Sequence, residues 1–416
     1  MLHLSEFGLQ VTRRPTRVLS PTVVLERRIR SKLQRHLLLL GFETTRDGSL
    51  SPVSQSKDSI RALHAAQRVE RLQADEAFLE ARGRSLLGAF ADGRDVRPEA
   101  IEPRLQLVRS GTDEADLFRL ASLLWSVPVS RGYGRRMRFL VWDRGNQKLM
   151  GLIALGDPSF NLRARDALIG WNSEQREQRL VNIMDAFVLG AVPPYNMLLG
   201  GKMVACLVRS QEVVTHFRDR YGHSEGLISG QQKRARLVAV TTSSSLGRSS
   251  IYNRLRLDGV SYFSPIGFTG GWGHFHVGQE LFEDMRKYLK LRRHPYAYGY
   301  EYGDGPNWRM RTIRATLDLL GFDADMLRHG INREVFLCNV ADNAGRILRG
   351  ESHRPLYGSL KTVAQIGELA TSRWMLPRAL RDSSFSGWNA RDLAPLLEWR
   401  LVADAAAKAR VGTRGA

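Results

Sequence analysis

The sequence predicts a mixed α/β (α+β) core, with a central mixed sheet covered by helices on both faces and flanked by helical, basic regions at either end. Three observations predict it. Between Pro103 and Val277, short strand-forming runs alternate with runs of helical periodicity. Before and after that interval, helical spacing dominates. The 416-residue chain also carries 62 Lys+Arg against 42 Asp+Glu, a net charge of +20. The expected organisation is a helical arm over 1–100, the α/β core over 101–277 and a mostly helical basic region over 278–416.

The arm starts with Ser20-Pro21, an N-cap followed by proline at the first helical position. Val24, Leu25, Ile29, Leu33, Leu37 and Leu40 then recur at helical spacing, and Gly41 supplies a stop. The other face carries Arg27, Arg28, Arg30 and Lys32, and it reads either as solvated surface or as a phosphate-contacting face. A polar turn leads into a second helical stretch, Asp58 to Phe90, with Ile60, Leu63, Val69, Leu72, Phe78 and Leu79 as its apolar stripe.

In the core, Arg104 to Arg109 alternates like a strand, and Thr112-Asp113-Glu114 opens a helix with acids in its first turn, as the dipole favours. Met137 to Trp142 and Lys148 to Leu155 form a hairpin around Arg144-Gly145-Asn146. A polar insertion containing R-A-R-D follows, then a strand over Ile183 to Val192 and a helix over Gly200 to Arg220. Leu237 to Thr242 is the next strand, and Tyr262 to Val277 is expected to close the core with two aromatic, glycine-rich strands. In the last third, Lys290, Arg292 and Arg293 precede an aromatic patch (Tyr296, Tyr298, Tyr300, Tyr302), and Asn307 to Arg311 begins a helix bearing Trp308, Arg309 and Arg311. Cations interleaved with aromatics suit backbone tracking with base stacking; a local aromatic cluster is the alternative.

The apolar fraction of 43% and the charged fraction of 25% belong to an ordinary globular protein; the +20 does not. Such an excess favours a polyanionic partner, with DNA first among nucleic acids. No stretch approaches the roughly 18 apolar residues of a membrane span, and the first residues lack the charged-then-apolar order of a signal peptide. A cytoplasmic location without membrane association is therefore expected. Cys206 and Cys338 are too far apart in sequence for a C-x-x-C site. The pair His274 and His276 would share one face of a strand, without a third ligand nearby, so no metal is expected. P-loop, H-E-x-x-H and nucleophile-elbow motifs are absent from the sequence.

Chemistry is expected in loops that follow strands. Asp166 lies between Arg163, Arg165 and the closing Trp171; it reads as an ion-pair anchor, a substrate positioner or a proton-transfer group. Asn182, Asp185 and Asn196 lie about the next strand, where amides and carboxylates hydrogen-bond a base edge or an acyl amide. Asp185 is anomalous within an apolar run and needs a partner if buried. The loop from Ser243 to Ser250, with Ser244, Arg248 and the nearby Arg254, suits phosphate contacts. Trp272 and Phe275 either stack bases or pack in the core.

The order strand, helix, hairpin, strand, helix, strand, strand pair resembles the GCN5-related N-acetyltransferase fold over roughly Pro103 to Val277. That resemblance implies acyl-coenzyme A as a ligand, its pyrophosphate at the helix start Gly200-Gly201-Lys202-Met203, and Tyr252 in the place of a general acid. The adjacent glycines depart from the usual G-x-G/A spacing, and a tight strand-to-helix turn accounts for them equally. The strings G-L-I-A-L-G-D-P-S-F-N-L-R-A-R-D-A-L-I-G-W, P-P-Y-N-M-L-L-G-G-K-M-V-A, H-F-R-D-R-Y-G and S-P-I-G-F-T-G-G-W-G-H-F-H together resemble the DruA family of Druantia anti-phage systems. This second resemblance implies bacterial defence against phage beside partner subunits that include a large helicase. It leaves open whether the core modifies DNA by group transfer or senses it without catalysis.

Overall fold

The computed structural model describes residues 20–39, 41–44, 50–52, 56–130, 132, 134–225, 232–233, 235–298, 306–322 and 324–412. Its main elements in chain order are α1 (Pro21–Leu39), α2 (Lys57–Ala74), β1 (Pro103–Leu107), α3 (Asp113–Ser122), β2 (Arg136–Asp143) and β3 (Lys148–Gly156). These are followed by α4 (Arg163–Ile169), α5 (Ser173–Arg179), β4 (Ile183–Ala191), α6 (Gly200–Leu207), α7 (Gln211–Tyr221), β5 (Ala239–Ser243) and β6 (Ser264–Phe268). The last third adds α8 (Gln279–Leu291), α9 (Pro306–Leu319), β7 (Glu334–Asn339), α10 (Val363–Ala370) and α11 (Trp399–Gly412).

Local chemistry sets several of these boundaries. The Ser56 hydroxyl accepts from Ser59 N at 3.1 Å to start α2, and Thr112 caps α3 ahead of Asp113, Glu114 and Asp116. The β2–β3 turn is fastened by Asp143 Oδ1, which accepts from Gly145 N at 3.0 Å and Glu102 N at 3.1 Å. The helix expected to run from Asp58 to Phe90 instead stops at Ala74. The chain then resumes through a π-helical turn over Leu79–Gly83.

Seven strands form one sheet in the spatial order β6-β7-β5-β4-β3-β2-β1. All neighbours are antiparallel except β4 and β5, whose parallel register runs Ile183↔Ala239, Met184↔Val240, Asp185↔Thr241. One face buries Met137, Phe139, Met150, Ile153 and Met184 against Met203, Leu207 and Phe217 of α6 and α7. The other buries Leu140, Leu152 and Val188 against Leu117 and Leu120 of α3. From Leu149 on, β3 is buried without a charged residue because both its faces are covered.

A separate cluster joins Ile29 and Leu33 of α1, Ile60 of α2, Met285 and Tyr288 of α8, and Ile313 of α9. The N-terminal arm and the last third thus form one helical body. This packing corrects the free basic face expected on α1. Arg28 and Lys32 pair with Glu280 and with Asp284, whose side chain is almost fully buried, and Arg30 bonds Glu26 and the carbonyl of Leu320. Of that set, Arg27 and Arg28 are exposed, Arg28 within its ion pairs.

The last third also supplies a strand to the sheet: β7 pairs antiparallel with both β5 and β6. One further expectation is corrected. The glycine-rich stretch after Tyr262 yields one strand, not two. Gly267 (φ 134°) follows a bulge within β6, whose ladder ends at Phe268; Gly271 (φ 68°) turns the chain beyond it, and His274 to Val277 is a turn closed by Val277 N on His274 O. His274 and His276 therefore do not share a strand face. Among the described residues no group of three or more His, Cys, Asp or Glu is arranged to hold a metal.

Candidate functional site

The most unusual place in the sheet is where β4 and β5 part. Their ladder ends at Asp185↔Thr241. Beyond it, side chains replace backbone pairing: Thr242 Oγ1 donates to Ala186 O at 2.8 Å, and the Tyr252 hydroxyl to Leu189 O at 3.0 Å. β4 is also irregular here, since its register against β3 slips between Ala154↔Val188 and Leu155↔Ala186. At the fork, Asp185 Oδ1 accepts a 2.6 Å hydrogen bond from Thr241 Oγ1. Desolvation raises the Asp185 carboxyl from 3.8 to about 6, against the opposing effects of the Thr241 bond and the Arg165 charge. A carboxyl of this kind holds or releases a proton near neutral pH.

Arg165 links this fork to the predicted R-A-R-D element. Its buried guanidinium bonds the carbonyls of Ser159 and Phe160, both at 2.9 Å, and pairs with Asp166. Asp166 further accepts from Arg176 Nη1 at 3.1 Å and Leu162 N at 3.4 Å. With both oxygens engaged by two guanidiniums, Asp166 has the geometry of an anchor. Asp166 and Arg176 line an open depression with Asn161, Arg163, Ala167, Gly170 and Trp171. The Trp171 indole is committed inward, donating to Leu348 O at 2.6 Å.

The other predicted residues scatter. Asn182 Oδ1 accepts from Arg236 N at 3.0 Å, Asn196 is exposed, and Ser244 is buried with its amide on Glu334 O. Arg248 and Arg254 are exposed on the loop after β5. The Tyr252 ring packs against Phe263 and Phe336, and burial pushes its pKa well above the ordinary phenol value. Its proton is thus aimed at a backbone carbonyl and away from solvent.

The start of α6 is packed with protein. Gly200 N donates to Tyr195 O at 2.8 Å and Lys202 N to Leu199 O at 2.9 Å. A Cβ on Gly200 would sit 2.6 Å from Tyr195 O, and one on Gly201 would sit 3.3 Å from Ile251 Cδ1. Met203 is fully buried, and Lys202 Nζ lies 5.6 Å over the Trp374 ring. As packed, these residues do not fit a coenzyme A pyrophosphate, because two of the amides an anion needs are already bonded.

The predicted nucleic-acid contacts divide into two groups. Arg309 is internal: it bonds Gln279 Oε1 and Val277 O and stacks 4.1 Å over Phe282. Lys290, Arg292, Arg293 and Arg311 are exposed, the first three together at the C-terminal end of α8 beside exposed Lys287. Tyr298 is exposed and Tyr296 is half-buried, while Tyr300 and Tyr302 lie outside the described residues. Phe275 packs between imidazoles, 4.2 Å from the ring of His64 and 4.9 Å from that of His329.

Sequence comparison decides the family. Residues 54–350 match the family model of the Druantia protein DruA. The chain belongs to the DruA family. Over 368 residues it is 52% identical to the Druantia protein DruA of Escherichia coli (strain UMEA 4076-1), covering 88% of this chain and 91% of that relative. It is thus a Druantia anti-phage defence protein. The DruA match takes in all seven strands, including β7, together with the Asp185 fork, and leaves out α1 and α10 onward. No solved structure matches the chain, so the acyltransferase resemblance finds no support there.

Sequence reading missed two participants in the candidate site, Thr241 and Arg176. The tandem hydroxyls Thr241-Thr242 at the end of an apolar run were the available signal for the first. Nothing in the spacing of Arg176 marks it as a partner of Asp166.

Proposed function

We propose that this chain serves Druantia defence as a nucleic-acid-binding subunit, with DNA as its partner, acting in the cytoplasm beside a helicase or another effector. The observation that carries this reading is the basic end of α8. Ion pairs and packing consume Arg28, Arg30, Lys32 and Arg309, yet Lys287, Lys290, Arg292 and Arg293 stay together at the surface of a chain with net charge +20. Cations left unneutralised in one place bind phosphates by releasing counterions. The test is duplex affinity against salt for the wild type and for Lys290→Glu/Arg292→Glu/Arg293→Glu. The slope should flatten by about 0.9 for each phosphate the variant no longer neutralises. An unchanged slope removes this assignment.

A second reading, acyl-type group transfer to nucleic acid, is favoured by one observation: the parallel strands part beside a carboxyl raised to about 6. The closed start of α6 weighs against acyl-coenzyme A as the donor, and no step through it is derived. Thermal unfolding with and without acyl-coenzyme A separates the readings, because a ligand that binds only the native state raises its stability. The binding-subunit reading expects no rise.

A further inference from the structure

We infer that the groove between α2 and α4 on the Asp185 face of the sheet is a phosphate site, with Arg333 as its cation. This goes beyond the basic end of α8 and does not depend on it. Strand register lays out the floor. Asp185 on β4 stands opposite Thr241 on β5, and Ser243 follows two residues on, so it shares that face. Ser243 pairs with Val335 on β7, which makes Arg333 its diagonal neighbour, within reach of a long side chain. The bond from Thr269 N to Arg333 O, at 2.9 Å, keeps Arg333 in line with the strand. α4 lies over the same face, since Gly267, paired with Val335, would place a Cβ 3.1 Å from Ala164 Cβ. α2 crosses this face too. Val188 opposes Ala154 and Asp185 opposes Gly156, two residues on along β3, so both point the same way. Leu72 of α2 packs with Val188, and His64 of α2 meets Arg333. Ser243 is nevertheless exposed on an interior strand, so the covering layer is open there.

Arg333 is a cation without a counter-charge. A guanidinium carries five N–H donors. Among the described residues one of those of Arg333 is used: Nη2 donates to His64 Nε2 at 3.2 Å. Its Nε is buried with no partner. Burial lowers the Arg333 pKa, and no carboxylate offsets that effect. Other buried guanidiniums differ: Arg165 pairs with Asp166 and Arg209 with Asp342, and each also bonds backbone carbonyls. Glu334, next in the chain, turns by alternation to the opposite face, where its carboxylate accepts from Ser249 N at 3.1 Å. His64 is fixed in place, with Nδ1 3.0 Å from Gln67 Oε1 and its ring 4.2 Å from that of Phe275. Nδ1 donates to that amide oxygen and Nε2 accepts, so the imidazole is neutral and leaves the charge of Arg333 unanswered.

The occupant follows from this arrangement. An unpaired cation held partly away from water is costly, and an anion entering beside it offsets that cost. The open fork of a guanidinium matches two phosphate oxygens, and a hydroxyl on the same floor, that of Ser243, serves a third. A carboxylate would be saturated by the fork alone, so the added hydroxyl favours the tetrahedral anion. A phosphodiester within a strand and a phosphate at an end or on a free nucleotide share this chemistry.

The test uses the full-length protein and calorimetric titration with inorganic phosphate, a 5′-phosphorylated oligothymidine and its 5′-hydroxyl counterpart. Arg333→Met should weaken phosphate binding at least about tenfold, as loss of a charge-assisted hydrogen bond does. Ser243→Ala should weaken it by a smaller factor. If the site takes a phosphate within a strand, both oligonucleotides weaken alike in Arg333→Met. If it takes a terminal or free phosphate, the 5′-hydroxyl strand is unaffected; either pattern supports the site. In phosphate-free buffer Arg333→Met should unfold at or above the wild-type temperature, because it removes a cation that burial penalises. A lower midpoint there would mean that Arg333 serves the fold, and it overturns the site. Unchanged affinity of Arg333→Met for all three probes also overturns it, as does a wild type that binds none of them. The salt slope for duplex at the end of α8 tests the proposed function separately, so either can fall alone.

Discussion

Asp185→Asn removes a charge at the fork while keeping the shape of the side chain, so it isolates the state of the carboxyl. The carboxyl of Asp185 is raised from 3.8 to about 6, with burial as the largest cause. A displacement of that size corresponds to about 3 kcal/mol of penalty on the ionised form. Solvent reaching the rim of the half-buried side chain reduces this, so about 1–3 kcal/mol is expected at neutral pH. Because the folded value lies above the unfolded one, the contribution is fully present below about 3.8 and is lost as pH rises through about 6. The asparagine retains an oxygen to accept from Thr241 Oγ1 and carries no such penalty. The variant should therefore match the wild type below about pH 4 and exceed it in stability above about pH 6. Denaturant midpoints at several pH values, taken as variant minus wild type, cancel every other titrating group. A variant less stable than the wild type at neutral pH would refute the reasoning, because it would mean that Arg165 favours the ionised Asp185 by more than burial penalises it.

Two other predictions concern the rest of the fold. Burial lowers His64, His274 and His276 to about 4 and His329 to about 3, so their contribution is fully present above about 6.5 and lost as pH falls toward 4. The thermal midpoint should drop over that window. His329→Asn, whose side-chain oxygen is placed to accept from Ile331 N as Nδ1 does, should make the drop shallower; an equal drop would show that this imidazole does not contribute. Gly151→Ala places a Cβ 2.7 Å from both Gly190 O and Val204 Cγ2, between β3, β4 and α6. It should cost about 1–3 kcal/mol in chemical denaturation, and a neutral result would mean that these layers have room to spare.

Periodic and capped elements were legible from the sequence. The apolar run of β3, the acid-rich start of α3 and the Ser20-Pro21 opening of α1 carry their structure in their spacing. Elements defined by distant partners were not. β7 is a short apolar run that periodicity alone does not separate from a helical segment, and only β5 and β6, far earlier in the chain, make it a strand. The basic face of α1 reads as free because Asp284 lies some 250 residues away. Asp185 stood out as a carboxylate in an apolar run, whereas Thr241 became its partner only through the parallel register of β4 on β5. The closed start of α6 was equally hidden, since Ile251 reaches Gly201 from a loop about 50 residues on.

The late arrival of β7 bears on how the chain is made. β6 is complete at Phe268, but its one neighbour in the sheet begins at Glu334, about 65 residues later. At roughly 5–20 residues per second, a ribosome takes several seconds to deliver it. During that interval β5 has one open margin and β6 has two, on a nascent polypeptide whose first four strands already have their partners. Those margins are natural clients for a chaperone and natural seeds for clumping between neighbouring ribosomes. A message or a protease that ends the chain before Glu334 would therefore release an open sheet, with nothing left to occupy the gap between β5 and β6.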